Sequence, residues 1–307
     1  MVSNPRPGCT FKGRAGMLKL TVFISCGLCF ATQSPLHVHV NAPIALCSAY
    51  AQPNVAITVT GQLRRFLEPI VYVTLKENLI NAFGGHFKTF IHIKTNVSSP
   101  EISMNLHKVS RYLDAQLRIQ AAEDVAEKNL QCRYISSDSS PGNLLPDFVL
   151  YQYAGLKGAF AMLKRYEEEN DMAFDWVLRV RTDTVFLAGV LPFCSYQSDR
   201  WYHQSLQWID HFSMLPRRFA PALYEGVLED HHACRGNVTA PSWDNLLINA
   251  AQKRNIVFQA HDFRTTIAAS SHANPKRRCD LSERRYTDAT FMPRPEACRS
   301  MLWPKEA

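Results

Sequence analysis

Short apolar runs alternate with longer amphipathic segments in the middle of this chain. The runs at 54–60 and 87–93 are apolar over most of their length, which is typical of buried strands. Apolar residues recur at helical spacing in three longer segments, at 70–83, 106–132 and 148–170. Strand and helix therefore alternate, and this order predicts an α/β fold with a mostly parallel sheet and helices on both faces.

The next run, 174–187, combines an apolar strand pattern with charge. It reads FDWVLRVRTDTVFL and places Arg179, Arg181 and Asp183 at alternate positions. Alternate side chains of a strand share a face, so we expect these charges to project together near the strand's carboxyl end. Buried charge is costly unless it is paired or solvated at a site, and open α/β sheets bind ligands beyond the carboxyl ends of their strands. The pattern favours a ligand site over a purely structural Arg–Asp pair.

The first strand leads into a glycine and a basic loop. Gly61 and Gln62 follow the apolar run, and Arg64 and Arg65 come directly after Leu63. A glycine allows a ligand to approach the backbone closely, and an arginine in such a loop is suited to binding phosphate. A simple strand–helix turn with solvated arginines is the alternative reading of the same residues.

The charge of the chain suits a small anionic ligand better than a nucleic acid. The 307 residues are 46% hydrophobic and carry a formal net charge of +7. Four basic and no acidic residues lie within 1–31, which leaves only +3 for the remainder. No stripe of basic residues interleaved with aromatic residues is present, so a nucleic-acid partner is not expected. A nucleotide diphosphate fits this modest positive charge.

The amino-terminal sequence indicates entry into the secretory pathway. A basic segment precedes the apolar run 17–31, so residues 1–31 are predicted to be a signal peptide or an uncleaved signal anchor. A stem or linker is expected at 32–52, a folded domain at 53–265 and a basic extension at 266–307. Contact with a membrane is expected only through the amino-terminal segment, with the domain in the lumen of the Golgi or the endoplasmic reticulum.

The cysteines agree with an oxidising compartment. Beyond the signal region the chain contains six of them, an even number that permits up to three disulfides whose pairing the sequence leaves open. These cysteines are Cys47, Cys132, Cys194, Cys234, Cys279 and Cys298.

Several segments, taken in order, resemble glycosyltransferases of the GT-A type. The resemblance is carried by AITVTGQLRRF (56–66), TFIHIK (89–94), YQYAGLKGAFAMLKRYEEE (151–169) and DWVLRVRTDTVF (175–186), and DHFSMLPRR (210–218) and SWDNLL (242–247) follow. It covers most of residues 54–260. The resemblance implies a GT-A-like fold and the transfer of a sugar from a nucleotide-sugar donor to a hydroxyl group of a glycan or glycoprotein acceptor.

This resemblance assigns roles to individual residues. Its implied donor-binding residues are Gly61, Gln62, Arg64, Arg179, Arg181, Asp183 and Arg217. An inverting transferase also needs a general base near the acceptor hydroxyl, and Asp244 and Asp210 are the candidates for that catalytic role.

The sequence is compatible with two ways of neutralising the donor's diphosphate. GT-A enzymes hold Mn²⁺ or Mg²⁺ with an acidic DxD motif, whereas Thr182-Asp183-Thr184 supplies a single carboxylate. Either Asp183 is a metal ligand completed by a distant acid such as Asp210, or arginines of the protein neutralise the diphosphate instead. The missing second aspartate also motivates a different reading, a non-catalytic luminal binding or scaffold protein of the same fold. A sulfotransferase ranks third, because GQLRRF lacks a phosphate-cradling loop.

Overall fold

Strands and helices alternate along the part of the chain that the structure describes. The structure is a computed structural model, and it describes residues 47, 49–63, 65–95, 99–121, 132–135, 143–144, 147–204, 210–234, 237–239 and 246–268. All of these residues belong to one unit, Asn41–Ala307. The predicted segment 1–31, most of the predicted stem at 32–52 and most of the extension at 266–307 lie outside the described residues.

Seven strands form the central sheet. In spatial order they are β11 (Phe258–Ala260), β8 (Trp201–His203), β9 (Phe212–Pro216), β6 (Trp176–Arg181), β1 (Asn54–Gln62), β2 (His86–Lys94) and β3 (Ala115–Gln120). β9 is antiparallel to its neighbours β6 and β8, and all other pairings in this sheet are parallel. The predicted α/β class with a mostly parallel sheet is confirmed.

The other elements surround this sheet. The described helices are α1 (Pro69–Thr74, continued by the π-helical Leu75–Ile80 and by Asn81–Phe83), α2 (Pro100–Tyr112), α3 (Asp147–Glu169), α4 (Ala220–Tyr224), α5 (Gly226–His232) and α6 (Leu246–Lys253). Two small sheets complete the fold, one from β4 (Arg133–Ile135), β5 (Asn143–Leu144) and β10 (Asn237–Thr239), the other from β7 (Thr184–Phe186) and β12 (Thr265–Ile267).

Helices cover both faces of the central sheet, as the alternating pattern predicted. One apolar cluster joins the buried side chains of α1 and α2 to Val55 and Ile57 of β1. A second cluster on the opposite face joins α3, α4, α5 and α6 to Ala56 and Val177. Alternate residues of β1 therefore pack into different clusters, which is the consequence of side-chain alternation in a strand buried on both faces.

The predicted long helix at 106–132 is wrong. Helix α2 begins earlier, at Pro100 behind the Ser99 cap, and it ends at Tyr112. Asp114 has a φ of +47°, a conformation that a helix cannot continue, and the chain turns there into the edge strand β3. The alternating sequence AQLRIQ suits such a strand, but its polar residues also fit a helical charge pattern.

The predicted strand at 174–187 is divided in two. β6 ends at Arg181, and Thr182 and Asp183 form a turn before β7 begins. β7 leaves the central sheet and pairs instead with β12. Asp183 is therefore not a residue of the central strand, although Arg179 and Arg181 keep the alternation that the sequence predicted.

The described cysteines form two disulfides, Cys47–Cys194 and Cys132–Cys234. They are consistent with a secreted or luminal protein. Cys47 is buried in the core, so the last residues of the segment predicted as a stem are attached to the folded unit. Cys279 and Cys298 lie outside the described residues. None of the helices in the described ranges is long and apolar enough to cross a membrane.

We predict that the Cys47–Cys194 bond makes a large contribution to stability. Its two cysteines are 147 residues apart in sequence, so the bond strongly restricts the unfolded chain. Replacing both cysteines with alanine should lower the free energy of unfolding by about 2–5 kcal/mol. Urea unfolding of the oxidised full chain and of the double variant measures the difference, and equal stability of the two proteins would contradict the prediction.

Candidate functional site

The carboxyl ends of β1 and β6 lie side by side where the strand order reverses. From β1 the chain proceeds outward through β2 and β3, and β6 then pairs with the opposite side of β1. Open α/β sheets bind ligands in the crevice at such a reversal. Thr60 of β1 and Arg181 of β6 are direct partners in this register. The charged strand end therefore lies where a ligand site is expected in this class of fold.

Gly61 allows these two strand ends to approach each other closely. Its φ is +147°, and a Cβ atom at this position would lie 2.6 Å from the hydroxyl oxygen of Thr182. That hydroxyl donates to the backbone carbonyl of Gln62 at 2.6 Å. Gly61 is therefore required by packing at the site, while Gln62 is exposed beside it.

Arg181 lies between two carboxylates. Its Nε and Nη2 atoms donate to the two oxygens of Asp183, each at 3.0 Å, and its Nη1 atom donates to Asp210 at 2.6 Å. Gln152 of α3 donates to the same Asp210 oxygen at 3.1 Å. The side chain of Arg181 is 28% exposed, whereas those of Asp183 and Asp210 are 12% and 7% exposed. The cluster thus reaches solvent mainly through the guanidinium group.

Arg179 is a second cation beneath Arg181, and it is only 2% exposed. None of its three guanidinium nitrogens has a hydrogen-bond partner in the described part of the chain. Thr58, its partner on β1, is instead bonded to the hydroxyl of Tyr224 at 2.5 Å. A buried guanidinium without hydrogen bonds is destabilising by several kcal/mol in general, so Arg179 is a poor choice for stability alone.

The electrostatics of the cluster favour its charged form. Burial by itself would lower the pKa of Arg181, but the carboxylates of Asp210 and Asp183 outweigh it and raise that pKa. Burial by itself would raise the pKa of Asp210, but the positive charge of Arg181, supported by Arg179, lowers it instead. Asp210 is therefore a weak base that is already bonded to Arg181 and Gln152. The geometry favours a role as counter-ion over the predicted role as general base.

His211 lies next to this cluster and stays neutral at physiological pH. Its Nε2 atom is 3.6 Å from Asp210, and the residue is buried. Burial lowers the pKa of His211 from 6.5 to about 4, although Asp210 acts in the opposite direction. Its backbone carbonyl accepts hydrogen bonds from the Arg181 amide and from the Thr184 hydroxyl, so it also fixes the turn that carries Asp183.

The structure brings together five of the predicted site residues and the candidate base Asp210. Those five are Gly61, Gln62, Arg179, Arg181 and Asp183, all at the junction of β1 and β6. Arg64 and Asp244 lie outside the described residues.

Arg217 does not join this site. It follows β9 at the end that pairs with Trp176, the first residue of β6. Arg217 therefore lies at the amino ends of the parallel strands, on the side of the sheet opposite to the site. The length of β6 separates the two edges by ~17 Å at about 3.3 Å per residue. The Arg217 guanidinium is bonded there to Glu167 at 2.7 Å and stacks on Phe160. Its predicted role in donor binding is therefore replaced by a structural ion pair.

Gln152 is a site residue that the sequence analysis missed, whereas His211 belongs to the charged cluster Asp210-His211 beside Arg217 that the sequence indicates. Gln152 is one polar position within the long amphipathic helix α3, and such positions are normally solvated. His211 adjoins Asp210 in the sequence, and the density of charge in that segment was the only signal available.

The residues as placed do not fit a divalent cation at Asp183. Both oxygens of Asp183 accept hydrogen bonds from Arg181, which also occupies the space towards Asp210. Within the described ranges no group of three or more His, Cys, Asp or Glu residues is arranged to hold a metal ion. A cation bound between the two carboxylates has to displace Arg181.

The fold and site define an α/β protein with a charged, partly exposed cluster at the switch point of its sheet. A model of a protein family matches residues 50–205, and the chain belongs to this family, which is described as a domain of unknown function (DUF7796). The matched range contains Arg179, Arg181 and Asp183 but ends before Asp210. No curated protein matches the chain.

We predict opposite effects on stability for two neighbouring arginines. Arg179→Met removes a buried guanidinium that has no hydrogen-bond partner among the described residues, and it should leave stability unchanged or raise it by about 1–4 kcal/mol. Arg181→Met leaves Asp183 and Asp210 without their shared cation and should cost about 3 kcal/mol. The free energy of urea unfolding at neutral pH measures both changes. An equal loss of unfolding free energy in both variants would contradict the prediction, because it would show that the charge of Arg179 is as well compensated as that of Arg181.

We also predict a pH dependence that belongs to His211. Since its pKa is 6.5 in the unfolded chain and about 4 in the folded protein, the unfolded state binds the proton more tightly. The contribution of His211 is thus complete above pH 6.5 and is lost as the pH falls towards 4, by at most about 3 kcal/mol. Asp210, whose pKa is lowered from 3.8, acts only at lower pH.

The measurement compares urea unfolding of the wild type and of His211→Gln across this range. The variant should lose less stability than the wild type between about pH 7 and about pH 4.5. His86→Gln changes an exposed histidine and serves as the control. Parallel curves for the wild type and His211→Gln would rule out the assignment.

Proposed function

We propose that this protein is a glycosyltransferase of the GT-A type that uses a nucleotide-sugar donor. The described sheet, with one antiparallel strand among parallel ones, is compatible with a GT-A-like or Rossmann-like fold. The observation that carries the proposal is the position of Arg181 and Asp183 beside the end of β1, at the reversal of strand order. A charged cluster that reaches solvent at this point suits an anionic nucleotide better than an apolar ligand.

The geometry supports binding of the donor's diphosphate by Arg181. A guanidinium has five N–H groups, and Arg181 uses three of them on Asp183 and Asp210. Two N–H groups therefore remain on the terminal nitrogens of a partly exposed side chain. They are available to a phosphate oxygen, where negative charge develops as the bond to the sugar breaks. Fixed donors of this kind stabilise a leaving diphosphate without reorganisation.

The acceptor in this proposal is a hydroxyl group of a glycan or glycoprotein. Its proton has to pass to a base as the new glycosidic bond forms. Asp210 is unsuited to this step because its pKa is lowered and both Arg181 and Gln152 bond to it. Asp244, which lies outside the described residues, is the residue that we propose as the general base.

The proposed location is the lumen of the Golgi or the endoplasmic reticulum. The two disulfides support it, because such bonds persist in oxidising compartments. The predicted amino-terminal signal or anchor at 1–31 supports it from the sequence.

One observation favours a second candidate, a luminal binding or scaffold protein that does not catalyse transfer. Asp183 is the only carboxylate in Thr182-Asp183-Thr184, and Arg181 engages both of its oxygens. In such a protein the ion pair would serve only to hold the turn between β6 and β7. Such a protein would keep the nucleotide crevice without the chemistry.

A screen of nucleotide sugars tests both candidates. Thermal unfolding of the purified full chain is measured with uridine, guanosine and cytidine nucleotide sugars. Hydrolysis of each donor by the protein is measured in parallel. A donor at 100 times its Kd should stabilise the protein by about 2.7 kcal/mol, which is a clear rise in Tm. We expect one nucleotide class to raise Tm and to be hydrolysed slowly.

Two variants complete this screen. Asp183→Asn and Arg181→Lys should weaken donor binding at least about tenfold, equivalent to about 1.4 kcal/mol, which lowers the Tm rise, and should reduce donor turnover by a similar factor. Arg200→Lys, in the exposed pair with Asp199, is the matched control and should change neither. A Tm rise without turnover favours the scaffold protein, and the absence of a rise with every donor rejects nucleotide-sugar binding.

A further inference from the structure

Among the described residues, the cluster at the end of β6 contains two cations and two anions within one small volume. Arg179 and Arg181 provide the positive charges, and Asp183 and Asp210 provide the negative ones. The sum is zero. Two carboxylates that hold one divalent cation have the same sum, so two guanidinium groups here supply the charge that a metal ion supplies elsewhere.

Arg181 also occupies the position that such a cation needs. A hard divalent cation binds between carboxylate oxygens, and the two carboxylates at this site are the ones that face Arg181. Its nitrogens are 3.0 Å from both oxygens of Asp183 and 2.6 Å from Asp210. These contacts leave the two acids without a shared place for a metal ion.

Arg179 fits the same arrangement. It is the deeper cation, its guanidinium nitrogens have no hydrogen-bond partner within the described ranges, and the negative charge of Asp210 raises its pKa against the lowering by burial. A charge retained at such a cost needs a reason. As the second positive charge beneath Arg181, it also lowers the pKa of Asp210 and so helps to compensate this carboxylate.

We infer that Arg181 and Arg179 take the place of a divalent cation, so that the protein binds a nucleoside diphosphate without metal. This inference rests on the proposed function for the identity of the ligand, but its central claim about the cation can be tested without any nucleotide. Removal of Arg181 frees Asp183 and Asp210, and the two carboxylates then form a site for Mn²⁺.

The first experiment measures Mn²⁺ binding by the full chain, using electron paramagnetic resonance of free Mn²⁺ and thermal shift. Wild type should bind Mn²⁺ weakly, and Arg181→Ala should bind it at least about tenfold more tightly, which corresponds to about 1.4 kcal/mol. In Arg181→Ala combined with Asp183→Asn this gain should disappear. Arg200→Ala removes the surface cation beside Asp199 and should behave as the wild type.

Stability provides a second readout in case Arg181→Ala folds poorly. Arg181→Gln keeps hydrogen-bond donors without the charge, and its Tm should rise on addition of Mn²⁺ while the Tm of the wild type does not. Equal Mn²⁺ affinity and equal Mn²⁺-induced Tm shifts in wild type, Arg181→Ala and Arg181→Gln would overturn the inference.

The second experiment separates this inference from the proposed function. Binding of uridine and guanosine diphosphates to wild type is measured by calorimetry in EDTA and in Mn²⁺. Equal affinity in both buffers supports metal-free binding, whereas binding that requires Mn²⁺ overturns it and leaves the glycosyltransferase proposal standing. If neither nucleotide binds in either buffer, the claim about the diphosphate fails with the proposed function, and the Mn²⁺ measurements alone decide whether Arg181 excludes the metal.

Discussion

Compensation of charge at the end of β6 is the constraint on which the site depends. A guanidinium placed at the buried end of a central strand is destabilising unless acids reach it, because unpaired charge at low dielectric costs several kcal/mol. Asp183 and Asp210 reach Arg181 from two sides, and their contacts hold the turn that separates β6 from β7. The same contacts leave the exposed edge of the guanidinium as the part of the cluster that faces solvent.

The direction of β9 is what makes this compensation possible. Because β9 is antiparallel to β6, its amino end lies at the carboxyl edge of the parallel strands and brings Asp210 and His211 to the site. Its other end takes Arg217 to the opposite edge, where Glu167 pairs with it. The direction of β9 thus decides that Asp210, and not Arg217 at the other end of the sequence DHFSMLPRR, lies beside Arg181.

The errors of the sequence analysis have a common physical origin. Polar residues in AQLRIQ fit either an exposed helix face or an edge strand, and the choice depended on Asp114, whose positive φ ends α2. The division of 174–187 likewise followed from tertiary contacts, since Thr182 bonds to Gln62 across the sheet and β7 pairs with β12. The local sequence around 174–187 does not indicate that Thr182 bonds to Gln62 or that β7 pairs with β12.

From the sequence alone, apolar runs and helical spacing determined the α/β class, the mostly parallel sheet and the position of Arg179, Arg181 and Asp183 at a strand end, because these features depend on local periodicity. The tertiary structure alone decided that Arg181 is held between Asp183 and Asp210, that Gln152 joins them and that the buried Arg179 guanidinium has no hydrogen-bond partner in the described part of the chain. These contacts join residues that are distant along the chain, and only strand order, strand direction and burial bring them together.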